Sequence, residues 1–105
     1  MKLQITGKGV KVSRRLMDLV GKKLGKVDRL LSDFKEDTKL SRVKISKSKR
    51  WGYKVKYSMK LPGKTKIYAQ EKGKTLESAL TKLKDNVLRQ TRQYKRKLQD
   101  YRKGS

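Results

Sequence analysis

The chain has 105 residues, of which 32 are lysine or arginine and 9 are aspartate or glutamate, so its formal net charge at pH 7 is +23. This length fits one domain. Cysteine and histidine are both absent from the sequence, which excludes disulfides, thiolate metal sites and the commonest nucleophile–base pairs. So large a charge on so small a protein predicts a polyanionic partner.

The composition also narrows the class of protein. Hydrophobic residues make up 33% of the chain, below the roughly 45–50% of an ordinary globular protein. They recur periodically, which predicts a small folded domain with a thin core. The sequence has no apolar run long enough to span a membrane and no signal-peptide core at its start. We therefore expect a cytoplasmic protein with no membrane partner. Catalysis stays open at this point, but the nine acidic residues form no obvious catalytic pair, so we expect a non-enzymatic protein with no cofactor, metal ion or small-molecule substrate.

The first predicted elements are a short strand and a long amphipathic helix. Residues alternate from Lys2 to Thr6, which predicts a strand, and residues 7–9 (Gly-Lys-Gly) predict a turn. Ser13 is a suitable helix N-cap. The apolar residues that follow are spaced by threes and fours, which predicts a helix of about five turns; they are Leu16, Val20, Leu24, Val27, Leu31 and Phe34.

The middle of the chain predicts three strands. Val43 and Ile45 alternate with charged residues, and residues 51–61 alternate without a break, which is the strongest strand signal in the sequence. A Pro-Gly pair at 62–63 predicts a tight turn, and the last strand ends at Gly73.

Four aromatic residues of these strands are candidates for base stacking. Trp51, Tyr53 and Tyr57 fall on the apolar side of the longest strand, so we predict that they belong to the core. Tyr68 alternates with apolar residues and is predicted to face the open side of the sheet. It is the better stacking candidate, although we favour a structural cross-strand role for it.

The last predicted element is a helix capped by Thr75, with Glu77 in its positive first turn. At about 100° per residue, basic residues fall within a sector of about 80° opposite its apolar stripe; they are Lys82, Arg89, Arg92, Arg96 and Lys103, flanked by Lys84 and Lys95. Ordinary solvated helix faces mix charges of both signs. We therefore interpret this row as a phosphate-contacting surface, with a merely solubilising face as the alternative.

The first helix repeats the pattern more weakly. Its basic residues away from the apolar stripe are Arg14, Arg15, Lys22, Lys26 and Arg29. Arg14 and Arg15 oppose the helix dipole, at a typical cost of about 0.3–1 kcal/mol each. Gly21 and Gly25 lie on the same outer face, where they either let an RNA backbone come close or pack against a loop. A basic hairpin at residues 47–50 either probes a groove or stays solvated.

The predicted order β-α-β-β-β-α indicates an α+β domain. A right-handed crossover makes the first two strands parallel, and the others form an antiparallel meander. The economical packing places two helices on one face of a four-stranded sheet, an arrangement like that of double-stranded RNA-binding domains. The other sheet face is left to solvent or a partner. We expect the domain to cover residues 1–101 and residues 102–105 to form a frayed tail.

Three segments resemble a known family. They are the opening MKLQITGKGVKVS, the helical segment at residues 20–27, and the closing IYAQEKGKTLESALTKLKDNVLRQTRQYKRK. All are similar to the ribosome hibernation promoting factor family, which includes the ribosome-associated inhibitor and the sigma-54 modulation protein. The most specific part is the R-Q-x-x-x-Y-K-x-K run from Arg89 to Lys97, and the resemblance covers about residues 1–98.

The resemblance implies a bacterial, non-enzymatic protein that silences translation when growth stops. Family members bind the small (30S) ribosomal subunit between head and body, against 16S rRNA, and overlap the paths of mRNA and tRNA. The matching basic positions, implied to bind RNA, are Lys23, Lys26, Arg89, Lys95 and Lys97. On physical grounds we add Lys22, Arg29, Lys82, Arg92 and Arg96.

Three questions stay open at this point. Long family members carry a second, dimerising domain, and this chain has none, so we expect a short form or the N-terminal part of a long one. Whether ribosomes are paired into 100S dimers is therefore undecided. The alternative functions are a stand-alone double-stranded RNA-binding module and a transcription-associated regulator. The former usually presents a loop histidine and a lysine-rich start to its last helix, both absent here.

Overall fold

The computed structural model describes residues 2–32, 40–61 and 65–104, with side chains up to residue 98. Its elements are β1 (Lys2–Lys8), α1 (Arg14–Leu30), β2 (Leu40–Ser48), β3 (Gly52–Leu61), β4 (Thr65–Gly73) and α2 (Leu76–Gly104). This is the predicted order. The predicted turn at residues 62–63 and the helix residue Phe34 lie outside the described residues. The division into a domain and a frayed tail stays a prediction.

The four strands form one sheet in the order β1-β2-β3-β4. β1 pairs parallel with β2, and the other neighbours pair antiparallel, as predicted. β1 runs to Lys8, beyond the predicted end at Thr6, because its ladder with β2 continues to the pair Lys8↔Ser46.

A single apolar layer holds the helices against the sheet. One side of each strand and one stripe of each helix meet in this layer, so both helices lie on the same face of the sheet. Its most buried members are Val20, Leu24, Val27, Leu31, Val43, Ile45, Val55, Tyr57, Leu80, Leu83 and Val87. The predicted two-layer α+β architecture is therefore confirmed.

Side-chain caps begin both helices. The Ser13 hydroxyl accepts a hydrogen bond from the Leu16 amide at 3.2 Å, and the Thr75 hydroxyl accepts one from the Ser78 amide at 3.1 Å. These bonds satisfy amides that have no partner within the helix. Both predicted caps are confirmed.

The prediction that Trp51 belongs to the core is wrong. Trp51 lies in the β2–β3 hairpin and is 38% exposed. The next residue, Gly52, has a φ of +84°, and a Cβ there would lie 2.6 Å from the carbonyl oxygen of Gly73. This left-handed residue breaks the strand alternation, so Trp51 leaves the side occupied by Tyr53 and Tyr57. Tyr57 is fully buried and Tyr53 is half-buried.

Tyr57 carries a hydroxyl into the apolar layer. Its hydroxyl lies 2.8 Å from that of Ser41, which is also fully buried. Burial raises the pKa of Tyr57 to about 12; the hydrogen bond to Ser41 opposes this rise, and the charge of Asp28 adds to it. The neutral phenol is thus the form that the fold requires.

We predict that Tyr57→Phe lowers the free energy of unfolding at pH 7 by about 1–3 kcal/mol, because it leaves the Ser41 hydroxyl buried without this partner. The raised pKa stabilises the wild-type fold fully below pH 10, and this contribution is lost as the pH rises toward 12. The deficit of the variant should therefore shrink between pH 10 and 12 in urea unfolding curves. Tyr53→Phe serves as the control. A deficit of Tyr57→Phe that is the same at pH 10 and at pH 12 would contradict the assignment of the raised pKa to Tyr57.

Candidate nucleic-acid interface

The two helices lie side by side and are joined by lysine side chains. The Lys23 amine donates to the Thr81 hydroxyl at 3.2 Å and lies 3.6 Å from a carboxylate oxygen of Glu77. Further along, the Lys95 amine donates to the Leu30 carbonyl at 2.7 Å. The contacts follow the same order along both helices, so α1 and α2 run in the same direction and present one shared outer surface.

The outer side of α2 carries a row of exposed cations. Lys82, Arg89, Arg92 and Arg96 are all exposed, and at 1.5 Å per residue the row extends for about 20 Å. Asp85 is the acidic residue among them. Their predicted placement opposite the apolar stripe is confirmed. The side chain of Lys103, the fifth member of the predicted row, lies outside the described residues, and contact of the row with RNA stays a prediction.

Cations of α1 line a groove between the two helices. It encloses about 190 Å³ and is lined by Leu19, Lys22, Lys23, Lys26, Glu77 and Lys84. Arg29 lies one turn beyond Lys26 and is exposed. Lys84, which the periodicity placed only as a flanking residue, thus joins the basic surface. Its position opposite α1 depends on how the helices pack, which helical spacing alone does not specify.

Three of the predicted RNA-binding residues have protein contacts of their own. Lys23 and Lys95 join the helices, and the Lys82 amine donates to the Lys72 carbonyl at 3.2 Å. The Lys95 contact places a cation at the C-terminal end of α1, where the helix dipole favours it. A phosphate must compete with these contacts. The other predicted residues are exposed; they are Lys22, Lys26, Arg29, Arg89, Arg92, Arg96 and Lys97.

Amide side chains fix α2 on the edge strand of the sheet. Gln90 donates to the Tyr68 carbonyl and to the Asn86 side-chain oxygen, each at 2.8 Å, and Asn86 donates to the Glu71 carboxylate at 3.1 Å. Tyr94, one turn on, is buried, and this burial raises the pKa of its phenol. Gln90 and Tyr94 therefore hold the helix in place while their basic neighbours stay exposed.

The two glycines of α1 have open space where a side chain would lie. Apart from the adjacent backbone of α1 itself, a Cβ built at Gly21 or at Gly25 meets no described atom within 4 Å. Among the described residues, nothing supports the interpretation in which these glycines pack against a loop. The alternative interpretation, close approach of an RNA backbone, is compatible with this geometry.

The sequence reasoning missed a second basic surface, on the sheet face opposite the helices. The signal was present in the strand alternation, which places Lys54, Lys56 and Lys60 on one side of β3. Tyr68, on the same open face, is 53% exposed, as predicted.

The fold and these surfaces define a class: a small α+β domain with strongly basic outer faces. Within that class, the chain belongs to the Sigma 54 modulation protein / S30EA ribosomal protein family, whose profile matches residues 3–99. The resemblance drawn from the sequence is thereby confirmed. No curated protein matches the chain.

Two solved structures share the fold. The crystal structure of the Thermus thermophilus Protein Y N-terminal domain is 20% identical, with a TM-score of 0.76 over 90% of this chain and 99% of that one. A ribosomal subunit interface protein from Coxiella burnetii is 26% identical, with a TM-score of 0.72 over 90% and 98% of the two chains. Neither described helix is long and apolar enough to cross a membrane.

We predict that Gly21→Ala and Gly25→Ala each raise the free energy of unfolding by about 0.5–1 kcal/mol, since alanine favours the helix and the new methyl group meets open space. If an RNA backbone approaches this face, the same variants bind RNA more weakly despite their greater stability. Urea unfolding and ribosome co-sedimentation measure the two effects. A destabilised variant would contradict the open geometry, and unchanged RNA affinity would contradict the close approach.

Proposed function

We propose that the protein is a translational silencer that binds the small (30S) ribosomal subunit. In this proposal it occupies the decoding channel, contacts 16S rRNA and blocks the binding of mRNA and tRNA. Its membership of a family that is described in part as a ribosomal protein supports this. So does its likeness to a Coxiella protein described as a ribosomal subunit interface protein.

The observation that carries the proposal is the exposed cationic row on α2. Arg89, Arg92 and Arg96 project from a helix that is fastened to the sheet, so their charges keep a fixed spacing. A fixed array of cations suits a polyanion that also has a fixed shape, such as folded rRNA. A flexible basic tail would give charge without such selectivity.

The binding energy in this proposal is mainly electrostatic. Each lysine or arginine that neutralises a phosphate releases counterions, so affinity falls steeply with salt. With about six to ten phosphate contacts, affinity drops by roughly 10³–10⁵ between 50 and 200 mM salt by the duplex-derived rule. The protein acts by occupying space, and no catalytic step is involved.

We predict that the combined substitution Arg89→Glu and Arg92→Glu abolishes co-sedimentation with 30S subunits at moderate salt. Both residues are exposed, so circular dichroism and thermal unfolding should stay close to wild type. Binding should be lost because two charges at the centre of the α2 row are reversed.

The matched control is Lys49→Glu with Arg50→Glu, which makes the same change in net charge at the exposed β2–β3 hairpin. It should keep most of the binding. Equal loss in both variants would show that only net charge matters and would contradict the assignment of this helix face. If plain duplex RNA competed as well as ribosomes do, a stand-alone double-stranded RNA-binding module would be the better description.

A further inference from the structure

The open face of the sheet, on the side away from the helices, is strongly basic. Along each described strand every second residue belongs to this face, and the strand register aligns these residues in rows. Its cations are Lys2, Lys8, Arg42, Lys44, Lys54, Lys56, Lys60, Lys66 and Lys72. Among the described residues of β1 to β4, no aspartate or glutamate belongs to this face.

Several of these cations stand directly opposite one another on neighbouring strands. The like-charged pairs are Lys44↔Lys56, Lys54↔Lys72 and Lys60↔Lys66. Like charges in directly opposed positions destabilise a sheet. A polyanion bound on this face would offset this repulsion.

The pKa of Lys54 shows the effect of this repulsion on a single side chain. Desolvation lowers the pKa of Lys54, and the positive charges of Lys56, Lys72 and Lys44 lower it further. An anion bound on this face would raise the pKa of Lys54.

The open face also carries exposed aromatic rings and a depression. The depression encloses about 280 Å³ and is lined in part by Arg42, Lys44, Lys56 and Tyr68. The Tyr68 hydroxyl donates to the Gln70 side-chain oxygen at 3.4 Å, which ties the exposed ring to its own strand.

Trp51 stands at the end of the same face. The amine of Lys72, an open-face residue, lies 5.7 Å from the centre of the Trp51 ring. Lys72 and Tyr68 are four residues apart on β4, or about 13 Å at 3.3 Å per residue. Two exposed rings thus lie within reach of one short oligonucleotide, with lysines between them.

We propose that the open face of the sheet is a second RNA-binding surface, which takes a single-stranded segment. Its lysines contact the phosphates, and Tyr68 and Trp51 stack on unpaired bases. Positive grooves with aromatic stacking platforms are the usual means of binding single strands, whereas bases inside a duplex are not free to stack on a side chain.

Other anionic partners fit the face less well. A membrane surface favours apolar side chains that enter the lipid, and Leu40 is the exposed aliphatic residue among the described positions of this face. An acidic protein segment would pair with the lysines but gives no role to the two rings. The proposed function uses the helix side, so this surface extends it: one molecule would hold two RNA segments on opposite sides.

The single tryptophan makes this face testable without ribosomes. Trp51 is the only tryptophan of the chain, so its fluorescence reports on the open face. We expect an eight-nucleotide oligouridine to quench it in a saturable manner. Tyr68→Ala should weaken this binding by roughly 5- to 150-fold, the range for one stacked base, and Tyr68→Phe should keep it.

A charge variant separates binding from folding. Lys56→Glu converts the repulsive pair with Lys44 into an attractive one, so the fold should be at least as stable. The same variant should bind the oligouridine more weakly and lower the salt slope by roughly 0.7 for each phosphate that the protein no longer neutralises. The matched control is Lys11→Glu, at an exposed residue between β1 and α1 that belongs to neither basic surface. It should leave the quenching of Trp51 close to wild type.

Four results would overturn this inference. The first is equal weakening by Lys56→Glu and Lys11→Glu, and the second is no effect of Tyr68→Ala. The third is a 12-base-pair RNA duplex that competes as well as the single strand. The fourth is preferential binding of vesicles containing phosphatidylserine that Lys56→Glu abolishes. Because no ribosome is present, failure here leaves the co-sedimentation result of Arg89→Glu with Arg92→Glu, and thus the proposed function, unaffected.

Discussion

A single apolar layer between the helices and the sheet is the constraint on which the rest of the structure depends. Hydrophobic residues make up only 33% of the chain, and the two-layer fold collects them on one side of each element. The cations are consequently displaced to the two outer surfaces. Two basic faces on opposite sides of a thin domain follow directly from the way this small core is built.

Polar contacts between the helices and strands fix the relative positions of these charged surfaces. Lys95 joins α2 to the end of α1, Gln90 fastens α2 to β4, and the buried Tyr57–Ser41 pair links β2 to β3. Such contacts oppose the mutual repulsion expected at a net charge of +23. The resulting arrays of cations have fixed geometry, and under the proposed function the array on the helix side suits folded rRNA.

Most of the fold could be predicted from the sequence, because alternation and helical spacing report directly on one-sided burial. The prediction failed at Trp51, since the alternation of apolar residues reports neither the positive φ of Gly52 nor the close approach of Gly73 to it. The contacts of Lys23 and Lys95 join residues 58 and 65 positions apart, so helical spacing alone could not reveal them. The strand alternation already indicated the lysines of the open face. Their direct pairing across strands, as of Lys44 with Lys56, depends on the strand register, which the sequence pattern does not specify by itself.

The most direct test of the central claim is hydroxyl-radical footprinting of 16S rRNA in purified 30S subunits with and without the protein. If rigid basic faces fit a folded rRNA cleft, protection should be confined to nucleotides on the two walls of the decoding channel. It should also weaken steeply as salt rises from about 50 to 200 mM. Diffuse protection over the surface of the subunit, or protection confined to sites outside that channel, would contradict the account.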